Sequence, residues 1–312
     1  MKVLITGGAG FIGSHIADRL LDRGDQVLVI DNFATGRRDN LTERPGLRLI
    51  EGSIADAALV ARAFEAQPPD VVVHAAASYK DPNNWEEDAR TNALGTAVVV
   101  RASQRAQVRR LIYFQTALCY GLKPLEQPIT LTHPILPGGS SYAISKTAGE
   151  YYVMLSGLDY QSFRLANAYG PRNLSGPLPT FFQRLSEGKS TFVMDTRRDF
   201  VFVDDLVDVV MKAIDGAGRP GVYHISSGSD YAIKDLHDEV LRAMGLPDRQ
   251  VEVRPRNPDD AFTILLDPAD TVRDFSWRVK TELRDGVGRA IAYYRKYGIT
   301  ETFTHLANVA EK

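Results

Sequence analysis

Residues 3–13 of this chain read VLITGGAGFIG, a short apolar run that passes into a glycine-rich turn and then into an amphipathic segment. Gly8, Gly10 and Gly13 satisfy the Gly-x-Gly-x-x-Gly fingerprint, and Gly7 extends it to a Gly-x-x-Gly-x-x-Gly variant. Glycine permits the unusual dihedrals of such a turn and lets the backbone approach a pyrophosphate, which the free N–H groups of the following helix can bind. Because a strand precedes the pattern and a helix follows it, the pattern predicts a dinucleotide-binding turn rather than a bare glycine turn.

Apolar runs and helix-length segments alternate after this turn. The predicted strands are Lys2–Thr6, Gln26–Ile30, Leu47–Glu51, Val71–Ala75, Arg110–Gln115 and Gln161–Ala166. The predicted helices are Ile12–Leu21, Ala55–Ala66, Ala89–Ala106 and Tyr142–Leu155. Strands that are apolar on both faces and alternate with helices indicate an α/β fold with a doubly wound parallel sheet.

The regular alternation of strands and helices ends at Tyr169, beyond which Gly-Pro turns and shorter predicted elements begin. We therefore expect a dinucleotide-binding domain over residues 1–168 and a smaller C-terminal α/β lobe over residues 169–312. The chain is expected to cross back to the first domain for one further strand; the predicted strands of this later region are Phe200–Val203 and Val222–Ser226.

Composition excludes several classes of protein. The 312 residues carry 37 Lys and Arg against 39 Asp and Glu, a net charge of -2, so no cationic surface is available for nucleic acid. No apolar stretch approaches the roughly 18 residues that cross a bilayer, and no secretory signal is evident. A single cysteine, Cys119, excludes an intrachain disulfide and a multi-cysteine metal site. We expect a cytoplasmic protein without a metal site or membrane partner.

The end of the second predicted strand bears on the choice of dinucleotide. Asp31 stands there, and a carboxylate at this position accepts hydrogen bonds from an adenosine ribose and repels a 2′-phosphate. This favours NAD. The pair Arg37-Arg38 is the contrary signal, because it could clamp a 2′-phosphate; its alternative is a solvated loop pair.

Residues 142–146, YAISK, place Tyr142 and Lys146 four residues apart on one helix face. A free tyrosine has a pKa near 10, so its pKa must fall by about three before it acts as a base near pH 7, a cost of about 4 kcal/mol. A unit positive charge about 4 Å away supplies about that much at an effective dielectric of about 20. Lys146 and an oxidised nicotinamide could supply this field together, whereas the alternative is a surface aromatic–cation pair.

These residues resemble the extended short-chain dehydrogenase/reductase family, in particular its nucleotide-sugar epimerases and dehydratases, over nearly the whole chain. The motifs that fall in family order are Thr6-Gly7…Gly13, Asp31-Asn32, His74–Ala77, Asn92 with Gly95-Thr96, Tyr120-Gly121, Tyr142…Lys146, Asn167–Arg172 and Arg198–Asp205. The strings Ser78–Pro82 and Gln115–Gly121 are similar to those of UDP-sugar 4-epimerases from bacterial surface-polysaccharide pathways. The resemblance implies a Rossmann fold, bound NAD and a C-terminal lobe that binds a nucleotide diphosphate.

The resemblance also implies a set of site residues. The implied catalytic residues are Thr116, Tyr142 and Lys146. The implied cofactor-binding residues are Gly7, Gly10, Phe11, Ile12, Gly13, Asp31, Asn32, Ser53, Ile54, Ala75, Ala76, Ala77, Asn92, Tyr142 and Lys146. The implied substrate-binding residues are Lys80, Thr116, Asn167 and Arg198. For several of these an ordinary structural role stays open: a backbone-bonded hydroxyl for Thr116, a surface lysine for Lys80 and an ion pair for Arg198.

The chain departs from the family pattern at two places, one that bears on the reaction and one that bears on cofactor binding. Family 4,6-dehydratases have Asp-Glu after the threonine, whereas Ala117 and Leu118 stand here and cannot transfer a proton. Ser53 replaces the aspartate that usually contacts adenine, which predicts a weaker contact. His74 is expected to be a packed residue at a strand end, and Cys119 a small core side chain.

The resulting hypothesis is NAD-dependent epimerisation of a nucleotide sugar at C4 through a 4-keto intermediate. The alternatives are a nucleotide-sugar 4-ketoreductase, a different dehydratase, and an NAD-binding sensor without catalysis. The helices Ala89–Ala106 and Tyr142–Leu155 resemble those through which family members dimerise, so the resemblance implies a homodimer.

Overall fold

The computed structural model describes residues 1–256, 260–299 and 301–303. Its strands are β1 (Lys2–Thr6), β2 (Gln26–Asp31), β3 (Leu47–Glu51), β4 (Val71–His74), β5 (Arg110–Thr116), β6 (Tyr160–Leu165), β7 (Asn167–Tyr169), β8 (Phe192–Met194), β9 (Arg197–Arg198), β10 (Phe200–Phe202), β11 (Gly221–Ile225), β12 (Tyr231–Ala232) and β13 (Glu252–Arg254). Its α-helices are α1 (Phe11–Asp22), α2 (Ala57–Ala66), α3 (Trp85–Asp88), α4 (Thr96–Arg105), α5 (Ser141–Met154), α6 (Pro177–Ser186), α7 (Val203–Ile214), α8 (Ile233–Met244), α9 (Ala269–Phe275) and α10 (Leu283–Tyr297).

One seven-stranded sheet dominates the molecule, with strand order β11-β6-β5-β4-β1-β2-β3 and all neighbours parallel. The chain steps outward from β1 to β3, returns to β4 on the other side of β1, and then proceeds to β6. This is the doubly wound Rossmann topology, so the predicted fold class is confirmed. The order reverses between β1 and β4, and the crevice at their carboxyl ends is where such sheets bind ligands.

The alternation of side chains along β1 builds both layers of the core. Val3 and Ile5 lie in one buried cluster with Ile16 of α1, whereas Leu4 lies in the other with Val60 of α2. Each of these side chains is at most 1% exposed. Because successive residues of a strand point to opposite faces, a strand covered on both sides needs apolar residues throughout.

Several elements differ from their predicted bounds, most of all the helix expected at Ala89–Ala106. The helix expected at Ala89–Ala106 is continuous with α3, and Ala89–Gly95 form a π-helical segment that leads into α4. Helix α6 begins at Pro177, a first-turn position that tolerates proline because it needs no N–H donor. The strand that was expected to cross back is present as β11, which pairs with β6 at the sheet edge.

Residues beyond β6 form short ladders that connect distant parts of the chain. Strand β7 pairs with β10, β9 with β12, and β8 with β13. Helices α6, α8 and α10 pack together beside them. No α-helix in the described ranges has the length and apolarity that a bilayer crossing requires.

Candidate active site

The glycine turn between β1 and α1 is shaped by close backbone approaches. Gly7 has φ +69°, and a Cβ there would lie 2.7 Å from the backbone N and Cα of Ala76. A Cβ on Gly13 would overlap the Gly7 carbonyl oxygen. Neither position therefore has room for a side chain. The turn brings the first N–H groups of α1 to the cleft, where a helix N-terminus favours an anion.

Asp31 ends β2 and faces the same cleft. Its Oδ2 accepts the Ala9 N–H at 2.8 Å and its Oδ1 accepts the Phe33 N–H at 2.8 Å. Burial raises the pKa of this carboxyl, and the two backbone donors oppose that rise. The two bonds fix the carboxylate beside the glycine turn and leave it lone pairs for ribose hydroxyls.

The two arginines that could have clamped a 2′-phosphate are engaged elsewhere. Arg37 forms an ion pair with Asp39, and Arg38 forms one with Glu51. The Arg38 guanidinium also lies 4.2 Å from the centre of the Phe33 ring. This geometry supports the alternative of a solvated loop pair. The choice between NAD and NADP therefore depends on Asp31.

The remaining implied cofactor residues divide into two groups. The ones that line the cleft beside the glycine turn and Asp31 are Phe11, Ile12, Asn32, Ser53, Ile54, Ala75, Ala76 and Ala77. Asn92, in the π-helical segment, is 1% exposed and does not line it. Its amide instead bonds the N–H and C=O of Ser78 and the hydroxyl of Ser145. The structure thus gives Asn92 a bridging position between the loop after β4 and helix α5.

Tyr142 and Lys146 lie in the first half of α5. The Ser140 hydroxyl caps this helix by accepting the Ala143 N–H at 3.1 Å. Tyr142 lines the cleft, whereas Lys146 is 3% exposed and its Nζ lies 4.1 Å from the centre of the Tyr113 ring. Tyr142 and Lys146 therefore lie on one face of α5, as their spacing of four residues predicts.

The protein's own groups shift the pKa values of this pair mainly through burial. Burial raises the pKa of Tyr142, and the neighbouring Tyr79 and Asp88 raise it further. Burial also lowers the pKa of Lys146 to about 7, against the opposing charge of Glu150. The protein's own residues therefore do not make Tyr142 a base, so the expected lowering of its pKa depends on the field of an oxidised nicotinamide together with Lys146.

A buried ion pair fixes the far end of α5. Glu150 stands one turn after Lys146, and the Arg164 Nη2 donates to its Oε2 at 2.9 Å while the Nε donates to Oε1 at 3.1 Å. Ser162 also donates to Glu150, at 2.6 Å. Helix α5 is thus tied to β6. Sequence reasoning did not assign Glu150, although its spacing of four from Lys146 places it on the same helix face.

Thr116 lies at the end of β5 and lines the cleft. Its Oγ1 accepts the Leu118 N–H at 3.2 Å, which caps a 3₁₀ turn at Ala117–Tyr120. The backbone-bonded alternative is therefore observed. A hydroxyl that accepts one bond still has its proton and a second lone pair for a ligand, so both roles are compatible.

Of the other implied substrate-binding residues, two line the cleft and one does not. Asn167 and Lys80 line the cleft. The Lys80 Nζ lies 3.3 Å from a Glu301 oxygen. Arg198 does not line the cleft: its guanidinium pairs with Asp260 and donates to the Ala261 carbonyl. The geometry favours the structural ion pair for Arg198.

His74 and Cys119 have the packed positions that were expected. His74 shares hydrogen bonds with Thr6 at 2.6 Å and with Thr96 at 2.9 Å, and burial lowers its pKa to about 3. Cys119 is 0% exposed, and burial raises the pKa of its thiol to about 12. Both groups are neutral near pH 7 and serve packing.

The cleft as a whole has a volume of about 1020 Å³ and runs from Asp31 past the glycine turn to Tyr142 and Asn167. At one end it offers helix N–H groups and a carboxylate, which suit a dinucleotide. At the other end it offers a phenol and a threonine hydroxyl, which can bond to and exchange a proton with a substrate hydroxyl. The residues present therefore fit NAD.

Comparison with known proteins agrees with this geometry. The family model described as NAD dependent epimerase/dehydratase family matches residues 3–226. A UDP-glucose 4-epimerase from Mycolicibacterium smegmatis is 31% identical, with 95% of this chain and 99% of that protein covered.

Two solved structures from Bordetella bronchiseptica are also similar. The enzyme WbmH, in complex with NAD+, is 57% identical with a TM-score of 0.93, covering 96% of this chain and 99% of that one. The enzyme WbmG, in complex with NAD and UDP, is 45% identical with a TM-score of 0.90, covering 98% of this chain and 97% of that one.

Proposed function

Because this chain belongs to the NAD dependent epimerase/dehydratase family, we propose that it interconverts the C4 epimers of a UDP-sugar through a 4-keto intermediate. The observation that carries the proposal is that Tyr142, Thr116 and the glycine turn line one continuous cleft. A proton-transfer group and a dinucleotide site in one cleft are what oxidation and re-reduction of a single sugar carbon require.

The cofactor would lie along the wall formed by β1, β2 and β4. The N–H groups at the start of α1 would bind its pyrophosphate, and Asp31 would accept bonds from the adenosine ribose. The Lys146 ammonium would hold the nicotinamide ribose. Bound NAD supplies reversible hydride transfer, which removes the C4 hydrogen and returns it to the opposite face of the ring.

Tyr142 would carry the proton of the sugar's C4 hydroxyl. As the C4–H bond breaks, that hydroxyl loses its proton to the Tyr142 oxygen and becomes a carbonyl; on return, Tyr142 gives the proton back. Positive charge must be near for this, because burial raises the pKa of Tyr142. The charged form of Lys146 and an oxidised nicotinamide ring would supply it, while Thr116 would donate to the same sugar oxygen.

The residues after Thr116 oppose a 4,6-dehydratase. Ala117 and Leu118 begin the 3₁₀ turn at the end of β5, where an acid and a base would have to stand to remove water. Neither side chain can transfer a proton. In the proposed epimerisation only the C4 oxygen exchanges a proton with the enzyme, and no water is lost.

For the substrate, we propose a UDP-sugar. WbmG has been solved with NAD and UDP together, and its chain is 45% identical to this one. Asn167 and Lys80 line the part of the cleft beyond Tyr142 and would contact the nucleotide diphosphate or the sugar. Arg198 is left out of this set because its guanidinium pairs with Asp260.

We also propose a homodimer that forms through α5 and the helix preceding it. Large apolar side chains are exposed along one side of α5: Ile144 is 53% exposed, Tyr151 55% and Leu155, at the end of the helix, 81%. Leu94, just before α4 in the sequence, is 53% exposed. Exposed apolar side chains in such a stripe are typical of an interface. Sedimentation should give twice the mass of one chain, and Leu155→Glu should shift the protein toward the monomer. A monomeric mass for the unaltered protein would contradict the dimer.

To test the function, the protein is incubated with each of a panel of UDP-sugars. Chromatography then measures the conversion of each sugar into its C4 epimer. The intact protein should equilibrate one epimer pair with no net consumption of NADH and no loss of water. Tyr142→Phe should lower the rate by about 10²–10⁴-fold, which is the contribution of a positioned acid–base group. Net NADH consumption would select the ketoreductase, loss of water a dehydratase, and no turnover with any sugar nucleotide a sensor.

A further inference from the structure

Gln115 is a buried polar residue to which neither the motif comparison nor the proposed reaction assigns a role. It precedes Thr116 at the end of β5, it is 2% exposed and, unlike Thr116, it does not line the cleft. The oxygen and the nitrogen of its side-chain amide both make hydrogen bonds. The Gln115 Oε1 accepts the Thr116 N–H at 2.8 Å, and the Nε2 donates to the Glu150 Oε2 at 3.3 Å. The amide therefore links the backbone of Thr116 to helix α5.

The carboxylate at the far end of this link is held from several directions. Glu150 is 0% exposed and accepts hydrogen bonds from two Arg164 nitrogens, at 2.9 and 3.1 Å, and from the Ser162 hydroxyl at 2.6 Å. Arg164 and Ser162 lie on β6, which is the neighbour of β5 in the sheet. Because a buried polar network whose members are all bonded is rigid, Glu150 is a fixed point for the Gln115 amide.

The same ion pair also holds the far end of the turn that Thr116 caps. This 3₁₀ turn ends at Tyr120, which is 0% exposed. The Tyr120 hydroxyl accepts a hydrogen bond from the Arg164 Nη1 at 2.7 Å. The segment that carries the Thr116 hydroxyl is thus bonded to the buried ion pair at both of its ends, through Gln115 before it and through Tyr120 after it.

We propose that Gln115 is a positioning residue for the reaction, which sets where the Thr116 hydroxyl stands relative to Tyr142. Tyr142 lies on the same helix as Glu150, about two turns earlier, so the Gln115 amide ties Thr116 to the helix that carries its catalytic partner. The inference rests on the proposed function, in which Thr116 and Tyr142 bond the same sugar oxygen. A displacement of about 1 Å in such an arrangement can lower the rate by about 100-fold.

Gln115→Met is the variant that tests this role, because it removes the amide and keeps the length of the side chain. For a UDP-sugar that the intact protein epimerises, we expect kcat to fall by about tenfold to 100-fold. KM should change by less than about twofold, because Gln115 does not line the cleft. Thr116→Val removes the hydroxyl itself, so adding Gln115→Met to Thr116→Val should lower kcat no further.

Gln161→Met is the matched control for loss of a buried amide. Gln161 lies on β6, is 0% exposed and donates to the Ala217 carbonyl at 2.9 Å, outside the cleft lining. The change should lower the free energy of unfolding, measured with denaturant, and leave kcat unaltered. A kcat that falls equally in both glutamine variants would show a structural role alone and would overturn the proposal.

Amide hydrogen exchange supplies a readout that needs no sugar. In Gln115→Met the Thr116 N–H loses its acceptor, so its exchange rate, followed by mass spectrometry, should rise by about twofold to tenfold, as for loss of one hydrogen bond. An unchanged exchange rate overturns the proposal. An unchanged kcat in Gln115→Met, or a loss of the same size when Thr116→Val is present, also overturns it. Absence of turnover in the unaltered protein would refute the epimerisation alone, and the exchange rate would still decide whether Gln115 holds Thr116.

Discussion

The two walls of the cleft are built in different ways. The cofactor wall uses β1, β2 and the loop after β4, and its key residues are close to one another along the sequence. The opposite wall uses Asn167 on β7, the loop before α6 and residues 301–303, which long-range contacts bring together. The first wall depends on backbone approach at glycine, and the second on ladders and ion pairs between distant segments. The proposed cofactor wall thus depends mainly on a local turn, whereas the proposed substrate wall is assembled from distant segments.

The largest expected effect is on the cofactor wall. Gly13→Ala places a Cβ against the Gly7 carbonyl oxygen, so the turn must open. We expect NAD affinity to fall by at least about 100-fold, equivalent to about 3 kcal/mol. Gly288→Ala is the matched control on α10, where a Cβ meets no atom within 4 Å; the chain should gain about 0.5–1 kcal/mol there. Binding titration and denaturant unfolding check both, and unaltered NAD binding in Gly13→Ala would contradict this account of the turn.

The next prediction concerns a buried carboxylate behind the substrate wall. Asp199 is 0% exposed, accepts hydrogen bonds from Ser226 and Ser227, and burial raises its pKa to about 6. Because the folded pKa lies above the unfolded value near 3.9, the folded state binds more protons between these two pH values. The free energy of unfolding should therefore fall as pH rises through this window, by about 3 kcal/mol in total.

The check is denaturant unfolding from about pH 3 to about pH 7, a range that spans both pKa values. Asp199→Asn should lack this component, so the difference between the two proteins should change across the window. A constant difference would show that the carboxyl titrates alike in the folded and unfolded states.

A smaller effect distinguishes the two roles of Arg198. If its ion pair with Asp260 is structural, Arg198→Met should lower the free energy of unfolding by about 2 kcal/mol, since it leaves a carboxylate buried without its partner. Asp260→Asn should have a similar cost, and the double variant should cost less than the sum. If instead Arg198 binds the diphosphate, KM for the UDP-sugar would rise while stability stays constant.

The smallest expected effect is on cofactor choice. Asp31→Ala removes the carboxylate that faces the ribose, and we expect the preference for NAD over NADP to fall by about tenfold. Fluorescence titration with both reduced cofactors measures the ratio. Arg38→Ala should leave the ratio unchanged, because Arg38 pairs with Glu51. A large change in Arg38→Ala would place that side chain at the ribose.

The difference between the walls also explains what the sequence could predict. The glycine turn, Asp31 and the Tyr142–Lys146 pair follow from local spacing, and the structure places all but the buried Lys146 on the cleft lining. Arg198 could not be placed, because its partner Asp260 lies 62 residues away. The contribution of burial, Tyr79 and Asp88 to the pKa of Tyr142 could not be predicted for the same reason, because these contacts come from tertiary packing.

The proposed epimerisation requires that one site remove a hydride from C4 and return it to the same carbon. A UDP-sugar labelled with deuterium at C4 tests it directly, with both epimers analysed by mass spectrometry and NMR after equilibration in ordinary water. We predict that the label stays at C4 in both epimers. Loss of the deuterium to solvent, or its migration to another carbon, would contradict the mechanism.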